Sequence, residues 1–228
     1  MTTTLCWYGH ATIGIDTGGF KLLIDPFFKE NSQTAQNPDE LDADYILVTH
    51  GHSDHVGDAL SIARRTGAVV ISNAEIGTWF SKQGVKTHAQ HLGGGFNYPF
   101  GYLKMTFALH GSGLPDGSYG GNPGGFLLTT LDGKKLYLAG DTGLFGDMKL
   151  IGDEGLNLAV LPIGDNYTMG PKDALLAVKL LRPQVVVPIH YNTFPVIQQD
   201  PVAWAETVKN ETAARVILMR PGETIEVE

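Results

Sequence analysis

Tyr45-Ile46-Leu47-Val48-Thr49-His50-Gly51-His52-Ser53-Asp54-His55 is an apolar run that ends in three imidazoles and a carboxylate. The apolar part reads as a buried strand, and a loop leaving a strand is where a fold gathers side chains around one point. Imidazole nitrogen and carboxylate oxygen suit zinc and its first-row neighbours. The competing reading is helix capping, since Ser53 or Asp54 could cap a helix over Val56 to Arg65. Capping explains one residue and leaves three histidines without a role.

Other apolar runs end the same way. Leu22-Leu23-Ile24 stops at Asp25, Met105 to Leu109 at His110, Leu136 to Gly140 at Asp141, and Val185 to Ile189 at His190. Continuous apolar runs fit strands covered on both faces, and ligand side chains at several strand exits can converge on one rim. Helices are expected over Val56 to Arg65, Ala74 to Lys82, Asp173 to Leu181 and Pro201 to Lys209. The N-terminal third reads as a meander with a turn at Thr17-Gly18-Gly19, and a second hairpin is expected at Asp132-Gly133. Gly111 to Gly125 reads as a long loop inside one domain. Central strands with outer helices give an α+β fold, a four-layer αββα sandwich spanning residues 1–228 as a single domain.

Composition narrows the function classes. The hydrophobic share of 43% and charged share of 18% are those of a globular enzyme. No apolar stretch is long enough for a bilayer span, and Met1-Thr2-Thr3-Thr4 lacks the features of a signal peptide. A cytoplasmic chain without membrane contact is expected. The single cysteine, Cys6, is expected to pack in the core. A net charge of −8 with no basic tract argues against nucleic acid as a partner.

Pooling the strand-end residues gives His50, His52, His55, His110 and His190 with Asp54 and Asp141, too many ligands for one ion and suited to two. Two divalent cations would outweigh two carboxylates, so a small, anionic substrate could bind without an Arg cluster. The metals are expected to be zinc or manganese, with iron also accepted by such ligands.

The loop resembles the H-x-H-x-D-H motif of the metallo-β-lactamase superfamily, and His110, Asp141 and His190 follow in that family's order. The resemblance runs over essentially the whole chain. It implies one metal on His50, His52 and His110, a second on Asp54, His55 and His190, and Asp141 bridging. Trp7 to Ala11, Leu23 to Pro26, Ala139 to Gly143 and Pro188 to Asn192 look closest to the bacterial metal-dependent hydrolases similar to L-ascorbate phosphate lactonases. Asp141 stands where the commonest β-lactamases place a cysteine. The flavin and glutathione-binding additions of other branches are not expected in this chain.

The expected chemistry is attack by a hydroxide activated between two metals on a small ester, lactone or phosphorylated substrate, with Asp54 or Asp141 handling the proton. The alternatives are a phosphodiesterase and a non-hydrolytic metal-binding protein. Asp25 before Pro26 is a candidate for orienting a ligating imidazole, or else a turn carboxylate. His10, His91, Asn166, Tyr191 and Asn192 are candidate substrate contacts, each with a structural alternative, and His88 is expected at the surface. A homo-oligomer is compatible with the sequence.

Overall fold

The computed structural model describes residues 2–228. Alternation places Leu5 and Trp7 of β1 (Thr4–Trp7) inward. β2 (Ile13–Thr17) and β3 (Phe20–Ile24) continue as antiparallel neighbours, joined by Gly18-Gly19 with positive φ at both. That geometry matches the twist of the flanking strands. β4 (Tyr45–Leu47), β5 (Val69–Ser72) and β6 (Thr87–Ala89) then add in parallel.

The second half repeats the scheme. β7 (Gly95–Tyr98), β8 (Gly101–Phe107), β9 (Gly124–Thr130) and β10 (Lys135–Leu138) pair antiparallel. β11 (Leu158–Pro162), β12 (Val185–Ile189) and β13 (Arg215–Val216) follow in parallel. The C-terminal β14 (Glu223–Glu226) returns to pair with β1, so each sheet has seven strands.

One hydrophobic core lies between the sheets. It joins Trp7, Ile13 and Leu47 of the first to Leu103, Phe126 and Leu136 of the second. A smaller core seats α1 (Ser53–Val56), α2 (Ala59–Thr66) and α3 (Ala74–Ser81) on the outer face of the first sheet, through Ile46, Val48, Val70, Ile62 and Phe80. α5 (Pro171–Leu181) and α6 (Pro201–Glu211), with the short α4 (Met148–Gly152), lie on the side of the second sheet. The layers are αββα. Among the described residues no helix is long and apolar enough to cross a membrane.

Three expectations change. The helix expected over Val56 to Arg65 is two helices, interrupted at Gly57, where φ is 28° and a Cβ would collide with the Pro26 carbonyl. Neither Ser53 nor Asp54 is a cap: His52 is the N-cap residue of α1, and its side chain makes no capping bond. Cys6 is half-buried rather than in the core, because alternation along β1 turns it to the outer face.

Candidate metal centre

Strand direction brings the chemistry-bearing residues together. β1, β3 and β4 run one way in the first sheet, and their exits carry His10, Asp25 and His50. In the second sheet β8, β10 and β12 share a direction, and lead to His110, Asp141 and His190. Backbone bonds fasten these exits. His190 N donates to His10 O at 3.0 Å and Gly143 N to Leu109 O at 2.9 Å. Three exit residues, His10, Asp25 and His190, hold positive φ without being glycine (50°, 46° and 54°). Such backbone strain persists where the surrounding structure over-determines it, typically at functional sites.

Two ligand groups result. His50 Nε2 lies 3.0 Å from His52 Nδ1, and His110 Nε2 lies 3.3 Å from the same atom. Around Asp141 Oδ2 stand the Nε2 atoms of His190 at 3.0 Å, His55 at 3.4 Å and His110 at 3.6 Å. His190 Nε2 is also 4.0 Å from Asp54 Oδ2. All seven expected ligands therefore sit in one cluster at the rim between the sheets, with Asp141 between the two groups.

The hydrogen bonds behind the cluster fix the tautomers. Asp25 is fully buried and accepts from Thr49 N at 2.8 Å, Thr49 Oγ1 at 2.6 Å and His55 Nδ1 at 2.8 Å. Since the Thr49 hydroxyl donates to Asp25, it accepts from His50 Nδ1 at 3.0 Å. Asp25 thus directs the Nε2 lone pairs of both His55 and His50 into the cluster, one directly and one through Thr49. Of the two readings for Asp25, the geometry is that of an orienting carboxylate. Thr49 is a participant the sequence reading missed; its only signal was its place directly before His50.

His10 is buried behind Asp54 rather than facing the cavity. Its Nε2 lies 3.1 Å from Asp54 Oδ2, and its Nδ1 lies 2.9 Å from Thr193 Oγ1. Burial, against the opposing pull of Asp54, lowers its pKa to about 4, so the ring is neutral at neutral pH. A neutral His10 donates from Nε2 to Asp54, and its Nδ1 faces the Thr193 hydroxyl, which is shared with Gln33 Oε1 at 3.1 Å. Gln33 completes the support, taking His10 N at 2.7 Å and donating to Tyr191 O at 2.8 Å.

The electrostatics call for a cation. Burial works against charging His55, but Asp141 and Asp25 outweigh it and hold its pKa well above the ordinary value. Burial likewise opposes ionising Asp141, yet His190 and His55 keep it well below the usual carboxylate range. Asp54 is also lowered, against burial, by the hydrogen bond from His10 and the charge of His55. Burial lowers His50, His52 and His110, which favours neutral imidazoles with lone pairs. His55 Nε2, His190 Nε2 and Asp141 Oδ1 are buried without a hydrogen-bond partner. Unsatisfied buried polar atoms cost about 1–3 kcal/mol each, and divalent cations would supply the missing partners. The donor set fits zinc, manganese or iron.

A cavity of about 750 Å³ opens on the cluster, exposing His52, Asp54, His110, Asp141 and His190. Its walls are Phe27, Leu114, Pro115, Tyr167 and Phe194, with Ser53 and Glu30 at the rim and no Lys or Arg. The proposed substrate contacts fall mostly elsewhere. His91 is exposed and outside the cavity lining, on the connection before β7. Asn166 is exposed in a positive-φ turn, and its neighbour Tyr167 takes the wall position instead. Tyr191 is buried against Trp7, ring centroids 5.7 Å apart, and Asn192 holds its own loop by accepting from Gln199 N at 2.7 Å. Neither lines the cavity. His88 is half-buried against Phe96, with ring centroids 4.5 Å apart.

Comparison with known proteins adds to this geometry. Residues 21–191 match the family described as the beta-lactamase superfamily domain. A metal-dependent hydrolase of Heliobacterium modesticaldum is 48% identical over 227 residues, covering 96% of this chain and 95% of its own length. One from Bacillus velezensis is 48% identical, with 97% and 98% covered. Igni18, a metallo hydrolase from the archaeon Ignicoccus hospitalis, superposes with a TM-score of 0.90 at 39% identity, over 100% of this chain and 99% of its own.

Proposed function

This chain belongs to the beta-lactamase superfamily domain family and is a metal-dependent hydrolase of metallo-β-lactamase fold; from that premise we propose that it holds two divalent cations and hydrolyses a small ester or lactone. The observation that carries the reading is three overlapping groups of possible ligands, His50 with His52 and His110, His50 with His55 and Asp141, and Asp54 with His10, His55 and His190, with the Nε2 atoms of His55 and His190 facing the Asp141 carboxylate. His50, His52 and His110 would hold one cation. Asp54, His55 and His190 would hold the other, with Asp141 between them.

Divalent cations bound there supply positive charge that acidifies water and polarises the oxygen of an electrophile. The chain's own residues provide the rest. Asp25 and Thr49 keep His55 and His50 in the tautomers that present Nε2. Asp54 lines the cavity and stays ionised because neutral His10 donates to it, so its carboxylate is available to take a proton from the attacking water. Phe27, Tyr167 and Phe194 give the approach to the cluster aromatic walls. On this reading residues 1–228 act as one hydrolase domain, with β14 sealing the N-terminal edge.

Esters and lactones are preferred over phosphodiesters because the cavity walls beyond the ligand cluster are largely apolar, formed by Phe27, Leu114, Pro115, Tyr167 and Phe194. The test is hydrolysis of a panel of lactones and aryl esters against bis(p-nitrophenyl) phosphate, with metal content measured on the same preparation. Turnover of the carbonyl substrates should vanish on chelation and return with zinc or manganese. Preferred cleavage of the phosphodiester, or one ion per fully active chain, would refute the proposal.

A further inference from the structure

The cavity over the ligand cluster does not end at its own walls. A second cavity, of about 410 Å³, shares four lining residues with it: Phe27, Glu30, Ser53 and Pro115. Beyond that shared rim the second space is bounded by Val56 and Leu60 from α1 and α2, and by Trp79 from α3. Trp79 is fastened in place. Its Nε1 donates to Asp116 Oδ2 at 2.7 Å, tying α3 to the Gly111 to Gly125 loop that carries Leu114 and Pro115.

Of the charged groups bordering this second space, Lys29 and Asp58 engage each other and Glu30 is exposed. Lys29 Nζ lies 3.6 Å from Asp58 Oδ1, and Asp58 Oδ2 accepts from Phe28 N and Lys29 N. What remains for a ligand is an apolar trough entered past an exposed carboxylate, Glu30. That arrangement repels an anionic tail and rewards an apolar one at about 0.8 kcal/mol per buried methylene. The net charge of −8 acts in the same direction.

We infer that the second cavity is a substrate subsite: it takes an uncharged, extended apolar arm, an alkyl or acyl chain, of a substrate whose scissile carbonyl lies at the ligand cluster. The inference rests on the hydrolase reading above and narrows its substrate class, placing the specificity of the enzyme in Trp79, Leu60 and Glu30. Any anionic group is favoured in the immediate neighbourhood of the cations, because on the outer walls Glu30 and Asp58 oppose it and the one cation, Lys29, is held by Asp58.

The experiment is a chain-length series of p-nitrophenyl esters, acetate, butyrate, hexanoate and octanoate, on the metal-loaded protein. kcat/KM should rise roughly fourfold per methylene until the trough is filled. An ester of matched length ending in a carboxylate, the p-nitrophenyl monoester of succinate, should fall at least about tenfold below its uncharged counterpart. Trp79→Ala, and separately Leu60→Glu at a half-buried helix position, should each collapse the octanoate-to-acetate ratio. A metal-dependent esterase with no chain-length preference would overturn the subsite and leave the hydrolase reading standing. If no ester is cleaved, binding decides. Octanamide binding at least about tenfold more tightly than acetamide by calorimetry, with the preference lost in Trp79→Ala, supports the subsite; equal binding overturns it.

Discussion

Replacing Asp25 by Asn tests whether the layer behind the ligands sets metal affinity. The change keeps the side chain's size and removes its charge from a fully buried position. In the native chain one carboxylate accepts three hydrogen bonds, from Thr49 N, Thr49 Oγ1 and His55 Nδ1. Asn puts its NH2 either where Oδ2 accepts from both Thr49 Oγ1 and His55 Nδ1 or where Oδ1 accepts from Thr49 N, so at least one donor loses its acceptor, and the bonds that remain are to a neutral group. A hydrogen bond to a charged group contributes about 1.5–3 kcal/mol, and each 1.4 kcal/mol is a factor of ten in binding. The expected loss of metal affinity is therefore about 10- to 100-fold, the range found for carboxylates behind ligating imidazoles. Competition against a calibrated chelator, with zinc as the titrant, measures it. Asp58→Asn is the control. Asp58 is also buried and accepts from two backbone amides, but does not touch the cluster. If Asp25→Asn binds zinc as tightly as Asp58→Asn does, the orienting role is wrong.

Three further outcomes are expected. His52→Ala and Asp141→Ala should each abolish turnover while far-UV circular dichroism stays native; residual metal-dependent activity in either would remove that residue from the site. Gly57→Ala should destabilise the chain by more than about 2 kcal/mol, because φ is 28° and the added Cβ meets the Pro26 carbonyl; an unchanged urea midpoint would contradict that contact. Finally, metal-stripped protein should lose stability between about pH 7 and about pH 5. His10, His50, His52 and His110 have lowered folded pKa values, so the unfolded chain takes up their protons first as pH falls through 6.5. His55 is raised, so its contribution is complete below 6.5 and opposes the trend, while the lowered Asp54 and Asp141 contribute no slope above 3.8. His10 alone accounts for on the order of 2 kcal/mol. Equal urea midpoints at the two ends of that range would show that these imidazoles titrate normally.

The sequence alone determined which residue types stand at the strand exits, their order along the chain and the layers. Ligand identity is local chemistry, and the strand before each ligand announces itself as an apolar run whether or not its partners are known. Strand exits therefore located His50, Asp141 and His190 before any pairing was seen. Turn chemistry likewise placed the Gly18-Gly19 hairpin. Tertiary structure alone decided which residues face the cavity. His10 lies behind Asp54 because β1 and β12 are pinned by the bond from His190 N to His10 O. Tyr191, though next to His190, turns into the core onto Trp7, beyond the end of β12 and after the positive φ at His190. The cavity walls come from Phe27, Leu114, Tyr167 and Phe194, on separate loops whose residue types carry no metal or catalytic signal. Their meeting depends on how two sheets of equivalent topology pack face to face. That is a sum of many long-range contacts, and it leaves no mark on any short stretch of chain.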